Sequence, residues 1–216
     1  MYNLQSSIYP QNEHGYASQP RAHMPYIYEE VNGGEKTYDI LSRLLKERII
    51  ILTGEFDETM ARSIVAQLLF LDSQSDKKIQ IYINSGGGSI DSGMAIFDTM
   101  KTINSPVHTI CDGLAASMGA FILSMGDERS ALPNARIMIH QPLGGARGQS
   151  SDIQIAARQI ELLKIKLAKY TAYKCNKEFE DVLKDMDRDN WMTAAEAKEY
   201  GLIDNVLGYK KDFTVF

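Results

Sequence analysis

Lys78-Ile79-Gln80-Ile81-Tyr82-Ile83-Asn84 alternates, with Ile79, Ile81 and Ile83 on one face, and runs into Ser85-Gly86-Gly87-Gly88-Ser89. A period of two predicts a strand. The three glycines break the chain, and a helix is predicted from about Ile90 to Lys101, with Met94, Ile96, Phe97 and Met100 inward. Strand, tight turn and helix in that order make half of a βαβ unit, and the pattern repeats on both sides. Upstream, a short helix is predicted over 38–46. Arg48 to Thr53 reads as a buried strand ended by Gly54, and Asp57 to Ser73 as a helix with Met60, Ile64, Val65, Leu68, Leu69 and Leu71 on a wide apolar face. Downstream come a strand at 107–111, a helix at 115–125, a strand at 135–139 and a second glycine-rich stretch at 144–148. The longest helix is predicted from Asp152 to about Lys174, and a last short strand from Leu202 to Leu207. Thr193-Ala194-Ala195-Glu196 reads as a capping box and Gly201 as a helix stop. Strands alternating with helices predict an α/β fold with mainly parallel pairing.

The 152–174 helix is apolar on more than one side. Ile153, Ile160, Leu163, Leu167 and Tyr170 form one stripe, and Ile155, Leu162 and Ile165 lie off it. One side is expected against the domain and another against a second chain. Residues 1–35 show no strand or helix period, apart from a short extended piece at 26–28, and hold Pro10, Pro20, Pro25 and Gly33-Gly34. They read as a flexible or processed tail over 1–24, ahead of one domain over 25–216.

Composition excludes several classes. The 216 residues are 44% hydrophobic and 24% charged, with a net charge of −5. That balance argues against a nucleic-acid binder, which needs a clustered basic face. No stretch reaches the length of a membrane span, and the N-terminus lacks the apolar core of a secretory signal. Two cysteines, Cys111 and Cys175, are too few for a disulfide framework or a four-cysteine zinc site. No cluster has metal-ligand spacing. A cytoplasmic location is expected.

Three features carry chemistry. The 84–89 segment could bind a phosphate, but no lysine follows and the spacing is not that of a dinucleotide loop. It could be a plain tight turn, or glycine could let the backbone approach a substrate carbonyl as an oxyanion hole. Ala115-Ala116-Ser117-Met118-Gly119-Ala120 sets a serine among small residues at the head of an apolar helix. A helix-capping serine is the ordinary explanation, and a nucleophile is the other. A nucleophile needs a base. His14 and His23 lie in the tail, and His108 lies within a strand and is expected to face out. His140 ends a strand, where sites collect in α/β sheets, and is the best placed of the four. The 185–191 segment offers Asp185, Asp187 and Asp189 as orienting carboxylates, or only a solvated acidic turn. Cys111 is more naturally a small core residue.

The chain resembles the proteolytic subunits of the ATP-dependent Clp protease, the ClpP family of serine peptidases. The resemblance rests on residues 38–50, on Tyr82-Ile83-Asn84-Ser85, Gly93-Met94-Ala95-Ile96, Ala115 through Phe121, and Leu132-Pro133-Asn134. It continues through Met138-Ile139-His140-Gln141-Pro142-Leu143-Gly144-Gly145, Arg188-Asp189 and Glu199-Tyr200-Gly201-Leu202-Ile203-Asp204. It implies the crotonase-like fold, a spiral of βαβ units with a long protruding handle helix at 152–174. It implies two stacked seven-membered rings enclosing a chamber, with unfolded proteins as substrates. Ser117 would be the nucleophile, His140 the general base and Asp189 its orienter, with the backbone N–H groups of Gly88 and Met118 as oxyanion hole. The chain itself would bind no cofactor or metal, and an AAA+ ATPase partner would use ATP and magnesium.

Two departures stand out. Gly86 occupies a place where the family usually has proline. Where the family's surface clefts receive apolar loops of the ATPase, this chain has Gln80, Thr102, Asp112 and Ser130 beside Tyr82, Ile110, Leu132 and Leu207. A buried aspartate there would be costly. The alternative to a self-sufficient endopeptidase is therefore a structural partner ring, paired with a second paralogue that carries the ATPase contacts. A crotonase-type acyl-CoA enzyme ranks last, since it has no need of Ser117, His140 and Asp189 together.

Overall fold

The computed structural model describes residues 25–31 and 34–209. The tail assigned to 1–24 lies outside them. The chain divides into two compact units, 1–40 and 41–216. In the first, β1 (Tyr26–Val31) and β2 (Gly34–Asp39) pair antiparallel, from Tyr26 opposite Asp39 to Val31 opposite Gly34. The extended piece expected at 26–28 is thus six residues long and has a partner.

The second unit runs α1 (Ile40–Lys46), β3 (Ile49–Phe56), α2 (Glu58–Gln74), β4 (Ile79–Gly88), α3 (Ile90–Thr102), β5 (Val107–Ala116) and α4 (Met118–Ser124). It continues with β6 (Glu128–Ala131), β7 (Arg136–Ile139), α5 (Ser150–Cys175), α6 (Phe179–Asp185), β8 (Asn190–Thr193), α7 (Ala194–Tyr200) and β9 (Asn205–Val206). The strands β3-β4-β5-β6-β9 form a parallel sheet in that order. Besides β4, β5 pairs with two further strands. His108–Cys111 pairs with β6, and Leu114–Ala116 pairs with β7, also parallel. β8 then adds antiparallel to β7.

The alternating isoleucines of β4 are fully buried, as the period of two requires. Asp57 caps α2 by accepting the Met60 N–H at 2.7 Å, and the helix buries Ala61, Ile64, Leu68 and Leu71. Leu69, expected inward, is exposed beside Phe70, because it falls on the helix's outer face. Met94, Ile96, Phe97 and Met100 of α3 are buried as expected. Thr193 and Glu196 form the capping box, and Gly201 ends α7 in a left-handed conformation, φ +96°.

Several boundaries moved, each for a tertiary reason. The glycine cluster does not break the chain; β4 runs through it to Gly88, since Glu55 and Phe56 still pair with Gly87 and Gly88. Ala115 and Ala116 belong to β5, not to a helix, because pairing with Ile137 and Met138 outweighs alanine's helix preference. The short strand β6, the helix α6 and the strand β8 have polar or mixed sequences and gave no periodic signal. The last strand is only β9, although Leu202 and Ile203 before it are buried. The long helix is as expected, two residues longer at its start and one at its end. Its buried residues, Leu167, Ala168, Thr171, Ala172 and Cys175, all fall in its C-terminal part. Among the described residues, no helix is long and apolar enough to cross a membrane.

Candidate active site

The ends of β4, β5 and β7 converge where β5 stops and α4 begins. Ser117 makes that turn with φ +56° and ψ −120°, a positive φ in a residue with a Cβ. Such a conformation costs of order 1–3 kcal/mol and persists only when the surroundings hold it. Here the Ser117 N–H donates to the Met138 carbonyl at 2.8 Å, and the Ser117 carbonyl accepts the Phe121 N–H at 3.0 Å. Ser117 occupies the capping position of α4, yet its side chain makes no capping bond. Its Oγ instead lies 2.9 Å from His140 Nε2.

His140 follows β7 directly, and its ring is mostly buried. Its Nδ1 lies 3.0 Å from Asp189 Oδ1. The three candidate carboxylates are separated by what they touch. Asp185 accepts from the Tyr200 hydroxyl at 2.9 Å, Asp187 from Gln141 Nε2 at 3.2 Å, and Asp189 reaches the imidazole. The 185–191 segment is thus more than a solvated turn. His14 and His23 lie outside the described residues. His108, expected to face out, is buried, with Nε2 2.9 Å from Ser130 Oγ. Burial lowers its pKa from the usual histidine value. Cys111 is buried and its thiol is pushed up to about 11, so it stays neutral and is a core residue.

Gly87 was not singled out in the sequence, since three adjacent glycines hide which one matters. Its φ is +100°, and a Cβ there would stand 2.6 Å from Ser117 Cβ and 2.9 Å from the Ala116 carbonyl. Only glycine permits that approach. Gly88 ends the strand beside it, and Met118 opens α4, where the first N–H groups have no acceptor within the helix. Gly88, Met118, Ser117 and His140 line one cavity of about 300 Å³. Its remaining wall is chiefly apolar, including Phe121, Ile139, Leu167 and Met186, with Thr171 and Ser124 among them.

The positions compared with the ATPase clefts behave differently from one another. Asp112 is exposed, so the full cost of a buried charge does not arise, although partial desolvation still raises its pKa above the usual aspartate value. Thr102 is exposed and its hydroxyl donates to the Asp98 carbonyl at 3.0 Å. Gln80 is half-buried, while Ser130 is buried against His108.

A serine hydroxyl, an imidazole and a carboxylate in line can move a proton off the hydroxyl as its oxygen attacks an electrophile. Among the described residues, no group of three or more His, Cys, Asp or Glu side chains could hold a metal ion. A family model described as Clp protease matches residues 32–210, and the chain belongs to that family. The mixed α/β fold with its parallel sheet is the one expected of it.

Proposed function

From that membership, which makes the chain a Clp-type protease, we propose a serine endopeptidase subunit that cuts unfolded proteins to short peptides by acyl transfer. The observation that carries the reading is the continuous link from Ser117 Oγ through His140 to Asp189, at 2.9 and 3.0 Å. Ser117 Oγ attacks the scissile carbonyl while its proton passes to His140 Nε2. Asp189 holds the ring through Nδ1 and stabilises the imidazolium that forms. The N–H groups of Gly88 and Met118 receive the oxyanion. The imidazolium then protonates the leaving amine. A water attacks the acyl carbonyl and loses a proton to His140, which returns it to Ser117 Oγ as the ester bond breaks and the acid product leaves. The apolar cavity beside Ser117 suits a large aliphatic side chain on the residue whose carbonyl is attacked.

The assembly is two stacked seven-membered rings, with the exposed N-terminal part of α5 as the handle between them. An AAA+ ATPase using ATP and magnesium feeds the chamber, and the chain binds no cofactor of its own. A second reading, a partner ring beside a paralogue that carries the ATPase contacts, draws on Gln80, Thr102 and Asp112, which set polar groups where an apolar loop would dock. The location is the cytoplasm.

The test is a fluorophosphonate on the purified chain, with peptide turnover measured beside it. Labelling at Ser117 and loss of both signals in Ser117→Ala are expected. Turnover retained in Ser117→Ala overturns the assignment. Native mass spectrometry of the same sample, with a peptide assay on each species, separates the active ring from the partner ring.

A further inference from the structure

We propose that Ser85 is a positioning residue for this reaction, its hydroxyl fixing the triple-glycine segment against the Ser117 turn; this deepens the peptidase reading above and rests on it. Gly86, Gly87 and Gly88 have no side chains by which neighbours could hold them, and glycine samples positive and negative φ about equally. Nevertheless Gly87 sits at φ +100° and Gly88 at φ +147°. No atom lies within 4 Å of where a Cβ on Gly86 would be. Pairing with Glu55 and Phe56 holds Gly87 and Gly88 on one edge, but nothing packs on Gly86, so the start of the segment depends on a restraint from the residue before it.

Ser85 supplies it. The side is buried, at 2% exposure. Its hydroxyl donates to the Gly54 carbonyl of β3 and accepts the Gly87 N–H at 3.1 Å. The two bonds sit on an irregularity. Pairing of β3 with β4 passes from Thr53–Asn84 to Glu55–Gly87, so Ser85 and Gly86 share the place opposite Gly54. Such a bulge re-aims the strand beyond it. The hydroxyl bridges the gap, tying β3 to the residue that bears on Ser117. On the other side, a methyl group added at Gly119 would stand 3.0 Å from the Ser85 carbonyl. Ser85 thus touches β3, the glycine segment and the first turn of α4. The amide of Gly88, assigned above to the oxyanion, follows the one the hydroxyl holds. Only a group that both donates and accepts makes this bridge, and alanine does neither.

The experiment uses the full chain with Ser85→Ala, Ser85→Cys and the double variant Ser85→Ala/Gly86→Ala. A short peptide substrate gives kcat and KM, a peptide boronate reports tetrahedral-adduct affinity, and hydrogen exchange is followed over residues 84–90. Ser85→Ala is expected to lose about ten- to a hundredfold in kcat, less than deletion of an oxyanion donor, with KM within about twofold. Boronate affinity falls by a similar factor and exchange at Gly87 speeds up. A general packing defect would not split kcat from KM in this way. Adding Gly86→Ala slows exchange at Gly87 again, because a Cβ there meets no neighbour and narrows the backbone's freedom. Gly86 lines the cavity beside Ser117, so this variant is read by exchange and not by kcat. Ser85→Cys, which keeps the shape with a weaker hydrogen-bonding group, falls between alanine and the parent. If kcat and boronate affinity of Ser85→Ala, or of Ser85→Cys should alanine not fold, match the parent within about twofold, the proposal is overturned. Fluorophosphonate labelling of the unmodified chain keeps the two ideas apart. Failure to label Ser117 removes the peptidase reading itself, whereas a labelled parent with unaffected Ser85 variants removes only the role of Ser85.

Discussion

His140 faces Asp189 because of strand register. β7 and β8 run antiparallel with Ile139 opposite Asn190, so the next residue of one strand meets the preceding residue of the other. The carboxylate is delivered by backbone pairing and not by a pocket of its own, and its side chain is 61% exposed.

Asp189→Asn should therefore keep the fold and lose the chemistry. An amide at this position stabilises the wrong imidazole tautomer, and the loss in kcat is expected to be about 10⁴-fold. Thermal melting should stay within a few degrees of the parent, since an exposed side chain contributes little to stability. Peptide hydrolysis and calorimetry on the same preparation check both halves.

The cavity beside Ser117 sets a preference. Burying a leucine-sized side chain is worth about 1.5–3 kcal/mol, or about ten- to 150-fold in kcat/KM over a substrate that leaves the cavity empty. Thr171 lines the cavity from α5. Thr171→Trp should abolish the advantage of leucine over alanine at the cleaved position while sparing alanine peptides. A matched substrate pair measures the ratio.

On α5, Ile155 and Leu162 are 62% and 51% exposed. Ile155→Glu or Leu162→Glu should leave the fold of the chain intact and, if α5 joins two rings as proposed, split the particle into single rings or smaller species. Sedimentation that shows the parent particle for both variants would remove this helix as the ring-to-ring contact.

The buried His108 predicts an acid limb in stability. Desolvation lowers its folded pKa below the usual 6.5; Lys78 acts in the same direction, while Glu128 and Asp204 oppose it. The unfolded chain then takes up the proton first. Stability is at its full value above about pH 6.5, falls as pH drops toward the depressed folded value, and levels off below it. His108→Gln should flatten that limb in urea midpoints measured between pH 7.5 and 5. Ser130→Ala, which removes the hydrogen bond at 2.9 Å and leaves Nε2 only the Glu128 carboxylate at 3.7 Å, should cost about 0.5–1.5 kcal/mol at neutral pH.

How much could be read beforehand depended on where the signal lay. Ile79, Ile81 and Ile83 declared a strand and a buried face, and Asp57, Thr193 and Gly201 declared helix ends, because those rules are local. Ser117 looked like an ordinary capping serine, since sequence cannot say that its hydroxyl turns away from its own helix toward His140. Asp189 could not be told from Asp185 and Asp187 by residue type; what distinguishes it is its place beside β8, a strand too short and mixed to be seen. Gly87 was hidden among equals until its φ and its approach to Ser117 were known. His108 falls in a stretch, 107–111, that is buried on both faces, so its place in the strand did not decide whether it faced out.

The pairing of β7 with β8 also bears on the order in which the chain becomes dangerous to its surroundings. A polypeptide emerges from the ribosome N-terminus first, and its parts fold as they appear. Ser117 and His140 lie 23 residues apart, but Asp189 comes 49 residues after His140, beyond the whole of α5 and α6. A nascent chain that ends within α5 carries a serine and a histidine with no carboxylate to orient them. On the peptidase reading, competence to cut arrives with β8, after every strand of the sheet except β9 has been synthesised.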